Sequence, residues 1–202
     1  MSRQESKDLT RQRLREAALA EFERYGVAAA SIDRITEAAG YSRGAFYANY
    51  ESKFELALEL STENARQETV IMEGVIESTP VAHAMLEYMR SNFDRLAKEP
   101  VWWVLAIEVR MEAARNPEFR ARYQAQDDLV ASQLRQMLRS LCRAAGCGET
   151  VDIDYVAVVI QSFSQGLYLD ASRPSLPSPG TLLVRLLVDL LGRPSSLMGV
   201  LE

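Results

Sequence analysis

Apolar residues recur three and four positions apart along almost the whole chain, a period that predicts helices throughout and no strand. From Thr10, a candidate cap, the residues Leu14, Ala18, Phe22 and Tyr25 share one face until Gly26 stops the pattern, while residues 1–8 are polar and expected to fray. Ser31 can cap a short segment in which Ile32, Ile35 and Ala39 fall on one buried stripe. Gly40 ends it, because glycine adopts a left-handed backbone without steric penalty. Ser42 caps a second short segment beginning Arg43-Gly44-Ala45. A long helix then runs from Ser52 through Phe54, Leu56, Leu58 and Leu60 to about Glu77, with Thr79-Pro80 closing it.

Five more patterns follow, with no repeat or low-complexity run between them. Pro80 opens a helix to about Lys98 with Met85, Met89, Phe93 and Leu96 on one face. Pro100 opens VWWVLAIEVRMEAARN, apolar on nearly every side as far as Glu108, which predicts a buried helix. Pro117 opens a long amphipathic helix through Tyr123, Leu134, Met137 and Leu141 to Gly146, and residues 152–171 form another. Arg173 to Gly180, rich in proline and serine, reads as a loop before a last helix from Thr181 to Leu191. The expected fold is therefore all-α, about nine helices in total.

The stretch from Ser31 to Lys53, two short helices around a glycine turn, has the layout of a helix-turn-helix. A recognition helix meets the major groove with its N-terminal end. There Arg43 can donate to guanine or phosphate, and Gly44 and Ala45 keep the surface low. Ser31, Ser42, Tyr47 and Lys53 are candidate phosphate donors that set register. Phe46 and Tyr50 are expected to face inward. The competing reading makes Ser31 and Ser42 caps only and packs Tyr47 under the next helix.

The run Ala38-Ala39-Gly40-Tyr41-Ser42-Arg43-Gly44-Ala45-Phe46-Tyr47, followed by Tyr50 and Ser52-Lys53, resembles the DNA-binding domain of the TetR family of bacterial regulators. The match covers roughly residues 10 to 60; beyond that the likeness is architectural. Thr36 stands where alanine is usual, Asn49 where histidine is frequent, and Tyr50 where phenylalanine is usual. The resemblance implies a homodimer whose N-terminal three-helix domain, residues 1–51, binds a double-stranded DNA operator. It adds Asn49 to the DNA contacts. Residues 52–202 would form the larger ligand-binding and dimerisation domain, in which a small-molecule effector changes operator affinity, so that the protein acts as a repressor of transcription. The alternative is an all-α dimeric binding or adaptor protein that no longer binds DNA.

Net charge changes that picture only when mapped. The whole chain is acidic, −5 with a pI near 5.1, yet residues 1–53 hold nine Lys and Arg against eight Asp and Glu. A basic face must therefore come from arrangement, with Arg3, Lys7, Arg11, Arg43 and Lys53 turned one way. The polar N-terminus lacks the apolar core of a signal peptide, and the longest apolar stretches are too short to span a bilayer, so a cytoplasmic protein with no membrane partner is expected. Cys142 and Cys147 form no CxxC pair and have no histidine near them, which predicts reduced thiols; a redox role would need a reactive thiolate.

The last helix has Arg185 and Asp189 as its only charges, leaving more apolar surface than one core can cover. By the family's four-helix bundle, Phe163, Leu167, Leu183, Leu187 and Leu190 are candidate dimer contacts. Met89, Phe93, Trp102, Trp103, Ile107, Met111, Tyr123 and Phe163 are candidates to line a cavity for an apolar or aromatic effector, with Glu108, Arg110 and Glu112 as polar groups that either orient it or mark a solvated face. No cofactor is implied. An enzyme is not expected: Ser162-Phe163-Ser164-Gln165-Gly166 lacks the first glycine of a nucleophile elbow and lies in a helical pattern, and His83 is the sole histidine.

Overall fold

The computed structural model describes residues 3–78, 81–148, 151–169, 177–194 and 197. Among them the chain forms α1 (Arg3–Ala29), α2 (Ile32–Ala39), α3 (Arg43–Tyr47), α4 (Lys53–Ser78), α5 (Ala82–Leu96), α6 (Pro100–Arg115), α7 (Pro117–Ala145), α8 (Ile153–Leu169) and α9 (Pro179–Leu190), with no strand. The all-α architecture expected from the periodicity is the one observed. The Thr79-Pro80 stop and residues 173–176 of the expected loop lie outside the described residues.

Three local differences have physical causes. Helix α1 begins at Arg3 rather than Thr10, because its first turns are polar all round and leave no apolar period to read. Gly26 does interrupt it, with φ 73° and ψ 166°, and one further turn follows to Ala29. Tyr25 is not on the buried face: it is exposed, with the guanidinium groups of Arg24 and Arg34 at 5.4 and 4.5 Å from its ring centre. Helix α6 buries only Leu105, Val109 and Ala113; Val104 and Met111 are exposed, so its apolar residues do not enclose it on all sides.

The chain divides into two compact units. The first takes residues up to Ala65 together with Pro100–Ala125. Its core joins Leu14, Ala18 and Phe22 of α1 to Ile35, Phe46, Leu56, Leu105, Val109 and Phe119, with α1 packing on both α2 and α6. Each fully buried Leu or Phe contributes about 1.5–3 kcal/mol relative to exposure. Arg122 of α7 adds ion pairs in this unit to Glu51 at 2.8 Å and Glu55 at 3.1 Å.

The second unit takes Arg66–Glu99 and the residues from Gln126 onward. Here Met85, Leu86 and Met89 of α5 meet Leu138 and Leu141 of α7, Val156 and Ile160 of α8, and Leu183, Val184, Leu187 and Val188 of α9. Helix α9 starts at Pro179 with Ser178 as its cap, the Ser178 hydroxyl accepting from the Thr181 N–H at 3.3 Å. The Asp94 carboxylate of α5 completes the seat, accepting from the Gly180 N–H at 2.9 Å and the Ser178 hydroxyl at 3.0 Å.

Candidate nucleic-acid interface

Helix α2 is set by both caps. The Ser31 hydroxyl accepts the Arg34 N–H, and Gly40, at φ 74° and ψ 31°, turns the chain so that the N–H groups of Gly40 and Tyr41 return to the Glu37 and Thr36 carbonyls. Glu21 of α1 anchors the same helix, accepting from the Ser31 N–H at 3.0 Å and from Arg34 Nε at 2.7 Å. The hydrogen bond from Arg34 holds the Glu21 carboxyl below its ordinary pKa. Thr36 is buried, and its hydroxyl donates to the Ile32 and Asp33 carbonyls at 3.0 Å each, so the departure from alanine leaves no polar atom unsatisfied.

Helix α3 begins at Ser42, whose hydroxyl accepts the Ala45 N–H at 3.3 Å. Phe46 and Tyr50 go inward, as expected, and pack ring to ring at 5.8 Å. The outward side presents Arg43, Gly44 and Tyr47; Tyr47 is 50% exposed instead of packed under the next helix. Arg43 Nη1 lies 3.3 Å from Asp33 Oδ1, and both side chains are exposed, so solvent competes with the pair. A hydrogen bond with the Tyr47 side chain, followed by the Asp33 charge, raises the guanidinium pKa above its usual value. Arg43 and Tyr47 are thus brought together, one turn apart, as a paired donor group. At Gly44 an added Cβ would meet nothing nearer than Ser42 Oγ at 3.6 Å, an ordinary contact, so no neighbouring atom of the chain requires glycine there.

Other expected contacts are occupied internally. The Lys53 ammonium donates to the Ala28 and Ala30 carbonyls at 2.6 and 2.9 Å. Asn49 Nδ2 donates to the Ala45 carbonyl at 2.8 Å. Ser31 and Ser42 serve as caps, each hydroxyl keeping a proton to donate. Of the five cations expected to form one basic face, Arg11 pairs with Glu59 and lies over the Tyr50 ring, and Lys53 is held as above; the Arg3 side chain lies outside the described positions. Lys7 and Arg43 remain exposed.

The cavity candidates fall in two different cores. Met89 is buried, and Phe93 and Phe163 half-buried, in the second unit. Trp102 and Tyr123 pack against the first core, Trp103 and Ile107 are half-buried, and Met111 is 46% exposed, so it lies on the surface. Arg110 Nε donates to the Tyr123 hydroxyl at 2.9 Å, and Glu112 accepts from Asn116 at 3.2 Å. Glu108 accepts the main-chain N–H groups of Val27 and Ala28.

Among the dimer candidates, Leu183 and Leu187 are fully buried and Leu167 nearly so, which places them in the core of their own chain, while Phe163 and Leu190 are half-buried. The exposed apolar positions of α8 are Tyr155 at 60% and Val158 at 58%; their spacing continues to Ser162 and Gly166, also exposed. Reading α8 for its outward rather than its most apolar face would have found this stripe. Ser162–Gly166 lies within α8, with the Ser164 hydroxyl bonded to the Gln161 carbonyl, and His83 is exposed on α5. No helix among the described residues is long and apolar enough to cross a membrane, and no group of metal-ligating side chains is present among them.

Residues 14–60 match the family described as bacterial regulatory proteins, tetR family, and residues 82–191 match the family described as BetI-type transcriptional repressor, C-terminal. The chain is 28% identical over 173 residues to the HTH-type transcriptional repressor AcnR of Corynebacterium efficiens, covering 83% of this chain and 86% of that one. Its fold resembles a transcriptional regulator from Rhodococcus sp. RHA1 (TM-score 0.75, 20% identity, 93% and 98% of the two chains). It also resembles FadR from Bacillus subtilis, solved in complex with stearoyl-CoA (TM-score 0.70, 18% identity, 90% and 98%).

Proposed function

The chain belongs to the TetR family of bacterial transcriptional regulators, helix-turn-helix repressors that bind DNA, and from that premise we propose that it binds a palindromic operator as a homodimer and is released by a small apolar ligand. Residues 1–51 read the DNA and residues 52–202 bind the ligand and dimerise. The observation that carries the reading is the exposed group on α3: Arg43 and Tyr47 side by side as donors, beside Gly44, where nothing in the chain itself excludes a side chain. Glycine in a helix is unfavourable by ~1 kcal/mol relative to alanine, and a close-approaching DNA backbone supplies a reason to keep it. Ser31, Ser42 and Ala45 flank the same surface. Lys53 and Asn49 act through the positions they hold.

Dimerisation uses the outward stripe of α8, Tyr155, Val158, Ser162 and Gly166, with Leu190 at the margin of α9. Exposed apolar groups beside small residues let two helices approach closely. Two recognition helices about 34–36 Å apart then meet two half-sites one turn of DNA apart. Within the second unit, buried Met89 and half-buried Phe93 and Phe163 offer an adaptable apolar wall, and an acyl chain such as that of stearoyl-CoA, bound by FadR, is a fitting class of ligand. Ligand binding would act through α4, which is continuous from Lys53 at the edge of the DNA-reading region to Ser78.

The test is a salt-titrated binding assay on the DNA upstream of the chain's own gene, with wild type and Arg43→Ala. Specific binding that weakens steeply with salt and is lost in the variant supports the reading. A protein that stays dimeric but binds this DNA no better than a random duplex favours the adaptor alternative.

A further inference from the structure

The C-terminus of α7 brings two thiols together. Gly146 takes φ 67°, and the chain reverses so that the Cys147 N–H donates to the Cys142 carbonyl at 3.0 Å and the Gly146 N–H to the Arg143 carbonyl at 3.4 Å. This is a Schellman turn, in which the third residue before the cap and the second after it make a side-chain contact. In this motif that contact is frequently between two apolar residues; here both positions are cysteine. Both are free and half-buried, and both pack against the second core.

The spacing of five is what this geometry requires, and it explains why a CxxC pattern is not needed. The main chains at the two positions are one hydrogen bond apart, and disulfides span Cα separations of about 4.4–6.8 Å. Cys142 also lines a surface hollow of about 370 Å³ with Arg139, Arg143, Gly148, Val151 and Ile153, wide enough to admit a small oxidant.

We propose that Cys142 and Cys147 form a reversible dithiol–disulfide couple closed by hydroperoxides. One thiolate attacks the outer peroxide oxygen, breaking the O–O bond, giving a sulfenic acid and releasing an alcohol, or water from hydrogen peroxide. The second sulfur displaces water from the sulfenic acid and forms the S–S bond. Two electrons pass from the pair of thiols to the peroxide, and their two protons leave in the alcohol and the water. Burial, then the hydrogen bond with Cys147, pushes the Cys142 thiol up to about 12, and that hydrogen bond holds the two sulfurs within reach of each other. The closed bond would fasten the end of α7 to the segment leading into α8.

The experiment treats the full chain with hydrogen peroxide, follows intact mass and alkylatable thiols, and then adds a dithiol reductant. The expected result is a mass lower by two hydrogens, loss of both thiols together, a single peptide linked through Cys142 and Cys147, and full recovery on reduction. Cys142→Ser should abolish that mass loss and leave Cys147 to gain oxygen atoms. Wild-type chains that gain oxygen, join to one another, or keep both thiols under excess peroxide overturn the proposal.

Discussion

Glu108 of α6 accepts the main-chain N–H of Val27, and that of Ala28 at 3.2 Å, in the turn that follows Gly26. The carbonyls of the same short segment, at Ala28 and Ala30, are taken by the Lys53 ammonium at the start of α4. One carboxylate and one ammonium, distant from it in sequence, thus grip the link between α1 and α2 by its donors and its acceptors. The close approach also explains Gly26: an added Cβ would lie 2.9 Å from Glu108 Oε1, at a φ of +73° that other residues resist. Replacing Glu108 with alanine leaves the N–H of buried Val27 without its acceptor, whereas the exposed Ala28 N–H can turn to water, and an expected loss of about 1–3 kcal/mol follows from the desolvated Val27 group. Urea unfolding of the full chain measures it, and an unchanged midpoint would remove the grip from the account.

Arg43→Ala should weaken operator binding by about 5- to 100-fold, the usual range for one good base contact. Tyr47→Phe, which removes only the hydroxyl that meets Arg43, should weaken it less. If Tyr47 meets phosphate, its loss lowers all sequences alike, whereas loss of Arg43 relaxes preference at one base pair. Anisotropy titrations with matched and mismatched duplexes separate the two.

Gly180→Ala should be among the most damaging single-methyl changes in the second unit. The new Cβ would run into the Arg90 carbonyl oxygen and sit 2.9 Å from Asp94 Oδ1, so α9 would have to move off α5. An overpacking penalty of about 1–3 kcal/mol is expected, read as a lowered melting temperature.

Tyr50 is buried beside Glu59, with its hydroxyl donating to Glu59 Oε1 at 3.2 Å. Burial, and then the Glu59 charge, push its pKa up to about 12 from 10. A phenol whose pKa is raised by folding contributes stability that is intact below the unfolded value and is lost as pH rises from about 10 to about 12. Ultraviolet titration of the phenolate band should show Tyr50 and Tyr88, whose pKa burial also raises, ionising late, and Tyr50→Phe should remove one of the two. Ionisation of all eight tyrosines near pH 10 would contradict the buried environment.

Val158→Glu places a charge in the middle of the outward stripe of α8 without touching the core. Sedimentation should then show monomers with unchanged helicity and, because half-sites are bound in pairs, a large loss of operator affinity. An intact dimer would move the interface elsewhere.

The sequence by itself determined the all-α fold, the placement of the helices, and the turn that delivers Arg43, Gly44 and Tyr47 to the surface. These are local matters: helical period, Ser31 and Ser42 as caps, and Gly40 in a left-handed turn act over a few residues, and each leaves its mark on neighbouring positions. Only the tertiary structure decided which polar groups stay free. Lys53 and Glu108 reach main-chain partners 25 and 81 positions away, and Leu183 and Leu187 turned from candidate interface to core once α5 and α8 packed against α9. A side chain's charge or apolarity states what it needs, but which distant element meets that need depends on how the helices pack, and helical period along one segment carries no record of the others.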